Sequence, residues 1–198
     1  MKVLERESLA AFIAAHREDG NTNMIGKMFE GIIADERMMA DGLPVIGGAS
    51  GADIVANISL GRVAHWATLP AASDALIVVP LETTGLVADA TLRDYDDLST
   101  LLAGATNEQT TMGRKTISAS VTVTVDDTNE RVDVDCPDQV WTGATGNAIS
   151  KLAFCYDGDT GAGTDANITP LTFHSFDVTP DGSDVTAQIA TAGFFRAQ

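Results

Sequence analysis

The sequence predicts a mainly β protein, a β-sandwich or jelly-roll-like barrel with one short internal helix, preceded by an N-terminal α-helical arm. Three observations carry this expectation. From residue 54 onward, apolar and polar residues alternate over short runs, the period of a half-buried strand. Gly, Pro and Asp turns cut those runs at the spacing of a sandwich or barrel. Before residue 43, apolar residues recur instead at three- and four-residue spacing, the period of an amphipathic helix.

The arm is assigned to residues 1–45. Leu9, Phe12, Ile13 and His16 share one helical face. Gly20 and Asn21 stop that helix, and Asn21, Thr22 and Asn23 offer caps for a second. In the second, Ile25, Met28, Phe29, Ile32 and Ile33 form an apolar stripe, ended by Asp41, Gly42 and Pro44. Two such stripes need a cover: the rest of the chain, another copy, or a different protein. The methionines Met24, Met28, Met38 and Met39 suit either core filling or an adaptable contact surface. Phe12, Ile13, Met24, Met28, Phe29 and Ile32 are therefore the candidate interaction residues.

Residues 46–53, IGGASGAD, read as a glycine-rich linker. A phosphate-binding loop needs a preceding strand and a Lys after its last Gly, and both are missing. The β domain then runs over 54–198. IVANISLG, RVAHWATL and ALIVVPLE are expected strands. TLRDYDDLSTLLAGA is the expected internal helix, with Leu98, Leu101 and Leu102 on one face and acids near its N-terminus, where the helix dipole favours them. KTISASVTVTV is expected as one long β-branched strand, with RVDVDC pairing back across DDTNE. In that hairpin the valines Val121, Val123, Val125, Val132 and Val134 should face inward. Thr122, Thr124, Asp133 and Asp135 should face outward. NAISKLAFCY, TPLTFHSFDV and DVTAQIA complete the set, the last two flanking the turn TPDGS.

The charge is strongly asymmetric in sign. The chain carries 12 Lys and Arg against 28 Asp and Glu, a net charge of −16. Such a surface repels phosphate backbones and anionic bilayers, which argues against direct nucleic-acid binding and against membrane docking. It suits a soluble chain in a crowded assembly, or one that meets a basic partner. No apolar run approaches the ~18 residues of a membrane-spanning helix. The first residues, MKVLERESLAAF, place acids where a signal peptide has its apolar segment, so secretion by that route is not expected. Cys136 and Cys155 both fall in strand-like segments and could be neighbours; two buried thiols are the plain expectation, a disulfide the alternative.

Chemistry-bearing residues are present without a catalytic pattern. YDGDTGAGTD brings Asp157, Asp159 and Asp165 near one another in sequence. A helix–loop–helix calcium site would need an acid or Asn two residues after Asp159 and then Gly, but Gly161 and Ala162 stand there. The expectation is no bound metal and no cofactor, with those three acids the ones that would hold a cation. Asp133 and Asp135 share a strand face, which suits a solvated edge better than an acid–base pair. His16, His65 and His174 have no zinc spacing, and no G-x-S-x-G elbow occurs. No enzyme is expected.

Three strings, MGRKTISASVTVTVDDTNERVDVDCPDQVW, AISKLAFCYD and DANITPLTFHSFDVTPDGSDVTAQIATAGFFRA, resemble structural proteins of tailed-bacteriophage virions. The likeness covers about residues 70–198 and leaves the arm unaccounted for. It implies a capsid decoration, or cement, protein that binds and stabilises the outer shell. A head–tail connector or tail structural protein is the alternative, and a cation-dependent carbohydrate-binding module a third. The partners implied are the major capsid protein or another virion protein and further copies of the chain, a trimer among the options. The location implied is the virion, assembled in the host cytoplasm.

Overall fold

The computed structural model describes residues 45–46, 53–104 and 106–198, within a unit spanning Leu43–Gln198. The candidate interaction residues Phe12, Ile13, Met24, Met28, Phe29 and Ile32 lie outside the described residues.

The described chain is mainly β. Its centre is a five-stranded antiparallel sheet in the order β2 (Ile54–Val55), β9 (Ile168–Val178), β8 (Ile149–Asp157), β3 (Ala75–Glu82) and β4 (Lys115–Ile117). Two three-stranded sheets complete the fold. One orders β1 (Val45–Ile46), β10 (Val185–Ile189) and β7 (Gln139–Trp141). The other orders β11 (Phe195–Ala197), β6 (Arg131–Asp135) and β5 (Thr122–Asp126). Pairing is antiparallel except between β1 and β10, which run parallel. Val45 and Ile46 thus join the sheet from the stretch that the sequence assigns to arm and linker.

The central sheet is buried on both faces, and this explains the composition of its strands. Successive side chains of a strand point to opposite faces. Leu76 and Val78 of β3, Leu152 and Phe154 of β8 and Leu171 of β9 pack with Val134, Trp141, Ala187 and Phe194 from the smaller sheets and β11's lead-in. This is the sandwich core. Ala75, Ile77, Val79, Leu81, Cys155 and Phe173 project the other way, onto Leu92, Leu98 and Leu101. Those leucines come from two short helices, α2 (Asp89–Leu92) and α3 (Leu98–Ala103). Each buried Leu or Phe contributes about 1.5–3 kcal/mol of transfer free energy. With both faces dry, ALIVVPLE has to be apolar at nearly every position rather than at alternate ones.

α3 starts where the sequence places a helix. Asp97 caps it, its Oδ1 accepting from Thr100 N at 2.8 Å, and Gly104 follows its end. The single expected internal helix is thus divided into α2 and α3. A third helix, α1 (Val63–Ala67), corrects the expected strand RVAHWATL. Val63 and Ala67 are buried while His65 between them is exposed; a strand would put all three on one face, whereas a helix turns His65 away. IVANISLG is likewise only two residues of strand, followed by a 3-10 turn over Asn57–Ser59.

KTISASVTVTV is not one strand. β4 and β5 belong to different sheets, and Ser120, with φ +63°, turns the chain between them. The TPDGS turn does not close a hairpin either: β9 ends in the central sheet and β10 begins in a smaller one, so the turn arches between layers. Gly193 fixes the entry to β11. It has φ +82°, and a Cβ there would collide with the Val134 carbonyl oxygen. The next residue's N–H donates to that same oxygen at 2.9 Å, which seats the Phe194 ring on Phe154 at 4.5 Å between centroids.

Candidate functional site

Two places concentrate polar chemistry or exposed apolar surface: the β5–β6 hairpin and a pocket beside Asp53.

The hairpin pairs Val123 with Val134 and Val125 with Val132. Val134 is fully buried, and Val121 and Val123 pack half-buried against the sandwich core. Thr122 and Thr124 face solvent, as the period-two pattern requires. The inward expectation fails at the tip. Val125 is 66% exposed, and neither it nor its cross-strand partner Val132 belongs to the sandwich core. The outward expectation fails in part for Asp133, which lies half-buried in an ion-pair cluster. Arg196 Nε donates to its Oδ1 at 2.6 Å, and Arg131 Nε lies 3.2 Å from its Oδ2 and 3.2 Å from Asp126 Oδ2. The Arg196 hydrogen bond holds the Asp133 carboxyl below the ordinary range. The Asn129 side chain does the same for Asp126. Asp127 and Glu130 are exposed and, among the described residues, have no ion pair. A groove of about 390 Å³ runs beside the tip, between Val125, Val132 and Ala197.

At the second place, Asp53, His174 and Thr172 form a polar string. Thr172 Oγ1 and His174 Nε2 are 2.8 Å apart, and His174 Nδ1 is 3.1 Å from Asp53 Oδ2. The latter contact is off-line for a hydrogen bond, so the buried His174 Nδ1 has no hydrogen-bond partner among the described residues. Asp53 also accepts from Ser175 N through Oδ1 at 3.3 Å. A pocket of about 270 Å³ opens beside Thr172, walled by Asp53, Ile54, Phe194, Phe195 and Arg196. Hydroxyl, imidazole and carboxylate stand in the order that nucleophilic hydrolases use. Two features set this string apart from such a site. Thr172 and His174 are each 2% exposed, the ring held edge-on to Phe154 and Phe194. The N–H groups of Gly193 and Phe194 in the pocket wall are spent on Ala190 O and Val134 O, so they cannot serve a developing oxyanion. What the string does is tie the residue before β2 to β9.

The three acids singled out as the ones that would hold a cation each have a different partner. Asp157 is buried, and its Oδ1 accepts from Asp159 N at 3.0 Å. Asp159 Oδ1 accepts from Gly161 N at 3.0 Å. Asp165 pairs instead with Arg114, whose guanidinium also donates two bonds to Glu108. Arg114 pulls the Asp165 carboxyl down, and the two acids raise the guanidinium further. Among the described residues no group of three or more His, Cys, Asp or Glu side chains is placed to hold a metal ion.

The two cysteines are not neighbours. Cys136 lies in the sandwich core and Cys155 in the core beneath the helices. Both are free, and burial pushes both thiols up to about 12. Both tryptophans are engaged within the domain. Trp141 is buried with Nε1 donating to Gly113 O, and Trp66 stacks on Tyr156 at 5.7 Å.

Sequence patterns miss the Asp53 string because its members come from the linker and from β9. The one sequence signal for it is His174 within the strand-like run TPLTFHSFDV, at a spacing of two from Thr172. The Asp133 cluster was missed because Arg196 reaches it from β11, a strand too short to show a period. Comparison with known proteins adds no family: no family model, curated protein or solved structure matches the chain.

Proposed function

We propose that the chain is a non-catalytic structural protein of a tailed-phage particle, a decoration protein that seats on the outer capsid shell and stabilises it by protein–protein contact. The observation that carries the reading is the β5–β6 hairpin, an exposed strand with an uncovered valine on an acidic domain. A chain that works by surface contact needs such a surface. The strings that resemble virion proteins support the reading further, since they span β4 to β7, β8, and β9 to β11, and so supply both layers of the sandwich. The net charge of −16 suits a protein outside a filled head, where attraction to packaged nucleic acid would misplace it. The partner proposed is the major capsid protein, with further copies of the chain around a symmetry axis.

The test is the number of copies in purified particles, by quantitative mass spectrometry against the major capsid protein. A decoration protein is present at on the order of hundreds of copies, set by shell symmetry, and a connector at about a dozen. Absence from particles, or about a dozen copies, contradicts the decoration reading.

A further inference from the structure

We infer that the outer edge of β5 is a docking edge for an extended, basic segment of a partner protein, which adds to the sheet as a further strand. The inference rests on the reading that this domain works by protein contact, though not on the partner being a capsid.

The three sheets differ in how their edges are protected. Among the described residues the outermost strands are β1, β2, β4, β5, β7 and β11. β1 and β2 have two residues each, and β4, β7 and β11 have three. β5 has five, and it pairs with β6 without a register shift. An outermost strand leaves every second backbone N–H and C=O without a sheet partner. Proteins blunt such edges by shortness, by bulges, by Pro or by Lys. The other edges here are short, and β4 and β11 also carry Lys115 and Arg196. β5, with the sequence TVTVD, is neither short nor bulged, has no Pro or Lys, and carries its one charge, Asp126, paired with Arg131 of the neighbouring strand.

Side chains point the same way. Among the described residues Val125 is the most exposed large apolar residue, at 66%. It stands opposite Val132 and above the groove that reaches Ala197. A strand laid along β5 would cover Val125 with its own apolar side chain. Charge then selects the occupant. Asp127 and Glu130 crowd the tip, whereas the cation Arg131 is held by Asp126 and Asp133. A second copy of this chain would bring two acidic tips and two charges of −16 together, and like charges across strands are destabilising. A segment alternating β-branched residues with Lys or Arg would pair with the backbone of β5 and place cations beside Asp127 and Glu130.

The experiment uses the full chain, isotope-labelled, with three synthetic octapeptides as probes. One alternates Val and Lys, one alternates Val and Glu, and one is the Val/Lys peptide N-methylated at every second residue. The Val/Lys peptide is expected to bind, with chemical-shift changes centred on residues 122–130. The Val/Glu and N-methylated peptides are expected to bind at least about tenfold more weakly, since one lacks the charge and the other the strand donors. Val125→Lys, on an exposed position, should leave the melting temperature unchanged and weaken the Val/Lys peptide by about tenfold or more. Equal binding of the N-methylated peptide reduces the contact to charge alone and overturns the inference. So does binding that maps elsewhere, failure of the Val/Lys peptide to bind, or dimerisation of the chain through β5. Since no particle is involved, these results stand apart from the copy-number test.

Discussion

Val134 and Val125 are alike in chemistry, lie on the same face of one hairpin, and should differ sharply in what they contribute. Val134→Ala deletes two carbons from a fully buried site in the sandwich core. Transfer alone costs about 0.8 kcal/mol per carbon, so about 1.6 kcal/mol in all. The cavity left behind adds to this, since even the one-carbon deletion of Ile→Val costs about 0.5–1.5 kcal/mol. The expected loss is therefore about 2–3 kcal/mol. Val125→Ala removes the same atoms from a side chain two-thirds in solvent, with no cavity, and should cost about 0.5 kcal/mol or less. Urea unfolding followed by tryptophan fluorescence resolves the two, because Trp141 is buried in the same core as Val134. With an m-value of about 2 kcal/mol/M, the Val134 variant should lose about 1 M in midpoint and the Val125 variant about 0.25 M or less. Equal shifts, or a larger one at Val125, would mean that the hairpin sits one residue out of register or that its tip is covered. Either result would remove the basis for a docking edge at β5.

Further outcomes follow from the same geometry. Gly193→Ala should destabilise by several kcal/mol in thermal or urea unfolding, because φ +82° strains any other residue and the added Cβ meets the Val134 carbonyl; a normal melting temperature would refute the described entry to β11. Asp165→Asn should lower the melting temperature at neutral pH and flatten its acid dependence. The depressed Asp165 carboxyl contributes stability that is full above its unfolded value, about 3.9, and lost as pH falls through the folded one, so variant and parent should converge once the pH is below the folded value. Parallel curves would show that the Arg114 pair contributes nothing. Both cysteines should titrate as free thiols, silent to a thiol reagent in the native state and reactive once unfolded, since each is buried and pushed up to about 12. A thiol count of zero after denaturation would indicate a disulfide.

Legibility in the sequence followed how local each cause is. β3, β8 and β9 are visible because burial on one or both faces writes itself into consecutive residues. The β5–β6 hairpin is visible because both strands alternate and a polar turn joins them. α1 was misread because five residues hold too few apolar positions to separate a period of two from one of 3.6. The break at Ser120 was missed because a serine with positive φ has no sequence mark as plain as glycine. The exposure of Val125 depends on which residues from elsewhere in the fold pack against the hairpin, which no pattern within the hairpin encodes. The same holds for Asp133 and Arg196, and for Asp53 and His174, whose partners are chosen by the tertiary fold.

The most direct test of the proposed decoration role is a cryo-electron-microscopy map of tailed-phage particles assembled in the presence of this chain. The account predicts density for the β domain on the outer face of the capsid shell, repeated with the shell's symmetry. It further predicts the β5 edge turned toward a neighbouring protein, with a basic extended segment along it. Density confined to the neck or tail, or a shell-bound domain with β5 open to solvent, would contradict it.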